Sequence, residues 1–279
     1  MGMKMLITGS SGLLGGKLAE ITTSLGFEVY SGYNKHKPTS GIPINFDITN
    51  YNEVLNAIIR CKPDVIVHAA ALTDVDKCEQ NKDLALKVNY HGTLNIVKAC
   101  EPIKPFFIYI STDYVFDGKK GMYSEDDEPN PINFYGYSKL MGEKAVTTSN
   151  LEYCIIRSSV IYGSKPARGK INFALWIIEK LRNKEAISVV TDQYVSPTLN
   201  TNLSGMIVEV AEKRINGILH LAGATRISRY EFAQKIAEIF SLDKTLIKPI
   251  TMNDINWVAE RPRDSSLNVS KAINILKNK

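Results

Sequence analysis

No stretch of this chain approaches the roughly 18 consecutive apolar residues that a membrane-spanning helix needs. Met1–Thr8 does not divide into basic, apolar and cleavage regions, so no secretion signal is expected. Met1-Gly2 is followed by Leu6 where N-myristoylation needs Ser or Thr, so no lipid anchor is expected either. Cysteine is scarce. Cys61, Cys78, Cys100 and Cys154 form no C-x-x-C pair and show no metal-ligand spacing. They read as reduced packing thiols of a cytoplasmic protein with no metal site. Nor does one charge sign dominate: 34 Lys and Arg stand against 29 Asp and Glu, a net +5 spread along the chain. That balance argues against nucleic acid or a membrane surface as partner.

What is present is ordinary globular composition, 44% hydrophobic and 23% charged over 279 residues, so bulk disorder is excluded. The first half alternates. Strands are expected at Lys4–Thr8, Phe27–Ser31, Ile42–Phe46, within Asp64–Ala70, at Phe106–Ile110 and at Tyr153–Arg157. Helices are expected at Leu13–Leu25, Asn52–Arg60, Asp83–Ala99 and Gly136–Thr147. Val65-Ile66-Val67 and Phe106–Ile110 are continuous apolar runs, as strands covered on both faces must be. The pattern predicts a doubly wound parallel α/β sheet of Rossmann type.

After residue 160 the pattern loosens. A polar, basic loop spans Ser164–Lys170. Amphipathic helices are expected at Ile171–Leu181, Thr201–Ala211 and Arg229–Phe240, and one more strand at Ile218–Leu221. Residues 1–160 are therefore expected to form a dinucleotide-binding domain, with segments returning to it near 187–222. Residues 161–279 are expected to form mainly a smaller, interleaved substrate lobe.

Gly9, Gly12 and Gly15 follow the first strand and open the first helix. Gly9 suits a tight turn, Gly12 lets a pyrophosphate approach the backbone, and Gly15 lets the helix pack on the sheet. The free N–H groups of the helix start then face the anion. After the second strand, Tyr30–Lys37 holds no carboxylate but does hold Lys35, His36 and Lys37. A 2′-phosphate would be attracted there, which points to NADP with NAD as the alternative; a plain solvated loop is the competing reading. Asp47 either bonds the adenine part or caps the next helix.

Tyr135 and Lys139 sit four apart at the start of an expected helix, on one face. An ammonium beside the phenol is expected to lower its pKa, so that it passes a proton near neutral pH. Upstream, Ser111 and Thr112 leave the C-terminal end of a buried strand, where open α/β sheets bind ligands. Either hydroxyl can orient a carbonyl.

With these residues in view, the chain resembles the extended short-chain dehydrogenase/reductase superfamily, and within it the dTDP-4-dehydrorhamnose reductase family. The resemblance runs from about Met3 to Leu267. It is carried by the glycine turn, His68–Asp76, Ser111–Gly118, Tyr135–Glu143, Asp192-Gln193 with Ser196–Thr198, and Arg261-Pro262. It implies reduction of the C4 keto group of a nucleotide-activated deoxysugar, dTDP-4-dehydro-L-rhamnose first among candidates. Thr112, Tyr135 and Lys139 would be catalytic. Gly9, Ser11, Gly12, Leu13, Leu14, Gly15, Lys35, Asp47, Ile48, Ala69, Ala70 and Ala71 would border the cofactor, with Asn89 supporting that region. Thr73, Val75, Asp113, Tyr114, Asn172, Phe173, Gln193 and Arg261 would face the substrate. One or two of the basic residues Arg157, Arg168, Lys170, Arg226, Arg229, Arg261 and Arg263 would meet its diphosphate. A homodimer is compatible with the family.

The chain also departs from the pattern. Val160 stands where these reductases commonly have Trp, Tyr194-Val195 precede Ser196, and Asn268 replaces a common Asp. Tyr114 follows Asp113 where superfamily dehydratases place Glu, which argues against dehydration. An epimerase on the same scaffold is one alternative. A regulatory module is the other, because the methionine adenosyltransferase beta subunit resembles the same family.

Overall fold

The computed structural model describes residues 2–166 and 171–278. Arg168, Lys170 and the end of the basic loop lie outside them. The first half runs β1 (Lys4–Thr8), α1 (Leu13–Ser24), β2 (Glu28–Tyr33), β3 (Ile42–Asn45), α2 (Tyr51–Cys61), β4 (Val65–His68), α3 (Val75–Gln80), α4 (Lys82–Leu86), a π-turn over Lys87–His91, α5 (Gly92–Cys100), β5 (Phe106–Thr112), α6 (Phe134–Thr147) and β6 (Tyr153–Ser158). The second half runs β7 (Ile161–Tyr162), α7 (Phe173–Arg182), β8 (Ile187–Val190), β9 (Tyr194–Val195), β10 (Thr198–Leu199), α8 (Asn200–Lys213), β11 (Gly217–His220), β12 (Ile227–Ser228), α9 (Arg229–Ile239), β13 (Ile247–Ile250) and α10 (Ser270–Ile275).

Seven strands form one parallel sheet in the order β3-β2-β1-β4-β5-β6-β11. This is the doubly wound arrangement that the sequence predicts, with its switch point between β1 and β4. Thr8 pairs with His68 at that point. Both sheet faces are covered. Leu14 and Leu18 of α1 pack with Leu203 and Ile207 of α8 on one face. Val54 and Ile58 of α2, Ile96 and Val97 of α5, and Val146 of α6 pack on the other.

The single helix expected over Asp83–Ala99 is broken by the π-turn. The extra residue per turn projects Asn89 inward, where it is buried. Its side chain takes both backbone groups of Leu72, accepting from N at 2.8 Å and donating to O at 3.0 Å. The short α3 follows, capped by Asp74, whose carboxylate accepts from Lys77 N. The second lobe has its own core between α7, α9, β8 and β13, including Ile177, Ile187, Ile236 and Ile247. Ile187–Val190 pairs with β13 in that lobe, and the return to the large sheet is made by α8 and β11.

Candidate active site

A cavity of about 900 Å³ opens at the C-terminal ends of β1, β4 and β5 and continues to the second lobe. Its floor at β1 is the glycine turn. Gly9 has φ +70°, and a Cβ there would strike the backbone of Ala69 and Ala70. A Cβ on Gly15 would meet the Gly9 carbonyl. Gly12 caps α1 with no side-chain hydrogen bond, and the first turn carries no acid. The free N–H groups and positive end of that helix therefore remain for an anion. Ser11, Leu13, Leu14, Lys35, Asp47, Ile48, Ala69, Ala70 and Ala71 line the same cavity. A dinucleotide's pyrophosphate fits this cradle.

Asp47, the basic loop and Asn89 take distinct places around this cradle. Asp47 does not cap α2: Asn50 does, accepting from Asn52 N and Glu53 N. Asp47 instead accepts from Thr49 N at 2.8 Å and lines the cavity. Lys35 and His36 line the main cavity, while Lys37 lines a neighbouring cleft beside Ser10 and Ser11. Asn89 lies outside the lining, holding Leu72 and bonding Ser138 Oγ at 2.9 Å, while Ser138 bonds Tyr135 O at 2.8 Å. It stands behind the turn that ends at Leu72 without touching the cavity.

Tyr135 and Lys139 project from the first turns of α6, whose start is fixed by Asn133 accepting from Gly136 N. Both line the cavity with Thr112 at the end of β5. Of the two candidate hydroxyls, Ser111 donates to Glu143 at 2.5 Å, so Thr112 is left for the cavity. Thr112 Oγ1 accepts from Tyr114 N at 3.2 Å and donates to Asp113 at 3.0 Å.

The phenol is not acidified as the spacing suggests. Burial raises the Tyr135 pKa, and the opposing influence is a hydrogen bond with Thr112 rather than Lys139. The ammonium points elsewhere. Lys139 Nζ donates to Ile110 O at 2.7 Å and lies 4.2 Å from the centre of the Tyr109 ring. Burial brings Lys139 down to about 7, opposed first by the Glu143 carboxylate.

On the substrate side, Thr73, Val75, Asp113, Tyr114, Asn172 and Phe173 line the cavity. The Tyr114 ring meets the Tyr135 ring edge-on at 5.9 Å. Asp113 is committed internally: beyond Thr112, it accepts from Ser159 at 2.8 Å and Ser265 at 2.6 Å. Burial raises its pKa against those three bonds. Asn172 caps α7 through Leu175 N and donates to Gly163 O. Gln193 and Arg261 are absent from the lining. Gln193 donates to Pro262 O at 3.4 Å. Arg261 pairs with Asp76 at 2.9 Å, donates to Ala259 O at 2.6 Å and stacks near Trp257. Its short local partners outcompete the cavity in this structure.

The lining also includes Ser158, which the sequence reading does not name, and Arg229, one of the seven basic residues that it does. Ser158 is buried, and its hydroxyl has no hydrogen-bond partner among the described residues. Arg229 starts α9 with its guanidinium 4.9 Å from the Phe173 ring centre. It is the cationic side chain that the second lobe contributes to the described lining, and Arg157, Arg226 and Arg263 are spent on Glu143, Asp264 and Asp192.

Val160 also lines the cavity with φ +39°. That is a strained setting for a β-branched residue. Among the described residues no group of His, Cys, Asp and Glu is arranged to hold a metal, and no helix is long and apolar enough to cross a membrane.

Comparison with known proteins agrees with this geometry. The family model described as the RmlD substrate binding domain matches residues 3–279. A probable low-salt glycan biosynthesis reductase, Agl14 of Haloferax volcanii, is 35% identical, covering 96% of this chain and 90% of that protein. The methionine adenosyltransferase 2 subunit beta of Bos taurus is 33% identical, covering 96% and 81%. The crystal structure of dTDP-4-dehydrorhamnose reductase from Bacillus anthracis in complex with NADP superposes with TM-score 0.90 at 32% identity, covering 98% and 93%. The chain belongs to the RmlD substrate binding domain family, among the dTDP-4-dehydrorhamnose reductase relatives of the extended short-chain dehydrogenase/reductase superfamily.

Proposed function

We propose that this NAD(P)H-dependent oxidoreductase reduces the C4 keto group of a nucleotide-activated deoxysugar, dTDP-4-dehydro-L-rhamnose being the first substrate to test. The observation that carries the reading is one cavity that joins an uncapped, glycine-lined helix start to Thr112, Tyr135 and Lys139. Bound NADPH supplies the hydride. Tyr135, kept protonated by burial, donates its phenolic proton to the keto oxygen as charge develops there. Thr112, anchored at the β5 end by Tyr114 N, turns its single proton from Asp113 to the same oxygen. Lys139, four residues on from Tyr135 and seated at Ile110 O, lines the same cavity and holds the nicotinamide ribose.

Arg229 on its aromatic platform receives the diphosphate. Residues 1–160, packed with α8 and β11, hold the cofactor, and the second lobe holds the sugar nucleotide together with Thr73, Val75, Asp113 and Tyr114. The four buried thiols, none in a disulfide among the described residues, suit the reducing cytoplasm.

The test is NADPH and NADH oxidation followed by absorbance with dTDP-4-dehydro-L-rhamnose. Rapid oxidation is expected, faster with NADPH. Tight NADPH binding with no oxidation sinks this substrate. Restored turnover with another 4-keto sugar nucleotide then points to Val160 as the residue that changed the sugar. A binding-only role, as the beta-subunit relative raises, predicts no turnover of any such sugar and co-purification with a partner enzyme.

A further inference from the structure

One buried charge pair is left unused by the chemistry above. Glu143 on α6 and Arg157 on β6 meet at 3.0 and 2.7 Å in a two-pronged bond, and each is 3% exposed or less. Burying such a pair costs desolvation that its attraction often fails to recover, so stability alone is a poor reason for it. Its location gives a better one. Glu143 follows Lys139 by one helical turn and lies on the same face. The two side chains grip neighbouring residues of one strand: Lys139 holds Ile110 O at 2.7 Å, and Glu143 holds Ser111 Oγ at 2.5 Å.

Among the described residues Arg157 in turn pairs with no second acid. Its third nitrogen has no hydrogen-bond partner, and beside it, in register on β11, is His220, which burial keeps neutral. The carboxylate is therefore oriented by Arg157 and Ser111, one helical turn from the lysine.

We propose that Glu143, clamped by Arg157 and Ser111, is the positioning residue that keeps the Lys139 ammonium charged and seated at the end of β5. The role rests on the reductase reading only for its purpose. Its electrostatic content is a property of the chain alone. The other groups facing Lys139 are His68 on β4, Cys78 on α3, Tyr109 on β5 and Tyr135 on its own helix. His68 is held neutral by burial, and Glu143 stands first among the groups that raise the Lys139 pKa.

The experiment is an NMR titration of the full chain labelled with ¹³C at lysine Cε, the Lys139 signal being assigned by its loss in Lys139→Met. Glu143→Gln is expected to move the Lys139 midpoint to lower pH, by on the order of one pH unit. Arg157→Met, which leaves the carboxylate uncompensated, is expected to move it to higher pH. Should a single variant fail to fold, Glu143→Gln/Arg157→Met removes both charges together, and its midpoint is expected to fall because the carboxylate is the charge one turn away. A folded Glu143→Gln or double variant with an unmoved midpoint overturns the proposal. The reductase rate is measured on the same samples. A shifted midpoint in a chain that turns over no keto sugar upholds this role and sinks the reductase reading.

Discussion

At the scale of single residues, what decides function is which side chains keep a free end toward the cavity. Tyr135 does, and its burial keeps the phenol protonated. Tyr135→Phe is expected to lower kcat by roughly 10²- to 10⁴-fold while NADPH affinity, read by fluorescence, changes little. An unchanged rate rejects Tyr135 as the acid. Lys35 is exposed at the cavity wall. Lys35→Glu is expected to weaken NADPH binding by a few-fold to about tenfold and to leave NADH binding alone; equal changes in both deny it a part in cofactor choice.

The glycine turn and the Tyr135/Lys139 spacing were readable because each needs a local pattern. Arg261 and Gln193 were not, because nearby Asp76 and the Pro262 carbonyl take their donors across long sequence distances. Ser158 has no local signature, and nothing local picks Arg229 from the other six basic candidates; only the fold brings a strand end and a helix start from different lobes to one cavity.

At the scale of elements, apolar runs and glycine turns made the parallel strands legible, and the structure extends several by one or two residues at their polar ends. The break at Lys87–His91 was not legible, since helical periodicity continues across it. Its purpose lies in Asn89, whose amide replaces a missing backbone partner for Leu72 on both sides. Asn89→Ala leaves those groups unpaired and is expected to cost about 1–3 kcal/mol in urea unfolding. NADPH binding is expected to weaken with it, because the Ala69–Leu72 turn loses its anchor. A stability loss with unaltered cofactor affinity separates the turn from the site.

The whole molecule is less divisible than its two halves suggest. α8 covers α1 and one sheet face, and β11 completes the large sheet beside β6. A fragment of residues 1–160 is expected to show no cooperative thermal transition by circular dichroism, and adding residues 200–222 in trans is expected to restore part of it. A sharp melt of the fragment alone contradicts this.

The fold also carries two buried neutral histidines, His68 between Thr8 and Thr93, and His220. Burial pushes both down to about 3. The unfolded chain takes up protons from about pH 6.5 downward, and the folded chain does not. The stability they contribute is therefore complete above pH 6.5 and drains away as pH falls toward 3. Tm is expected to fall already between pH 6.5 and about 4.5, before most carboxylates titrate, and His220→Gln is expected to flatten part of that slope.

The late origin of β11 has a consequence for how the protein is made. β6 ends at Ser158, but its neighbour begins at Gly217. During synthesis at roughly 5–20 residues per second, the edge of a nearly finished, strongly apolar sheet waits several seconds without its last strand. Such an edge is a template for pairing with other chains. The ribosome-bound nascent protein is thus the form most in need of chaperone protection, and slowing translation between residues 158 and 217 is expected to lower soluble yield more than slowing it elsewhere.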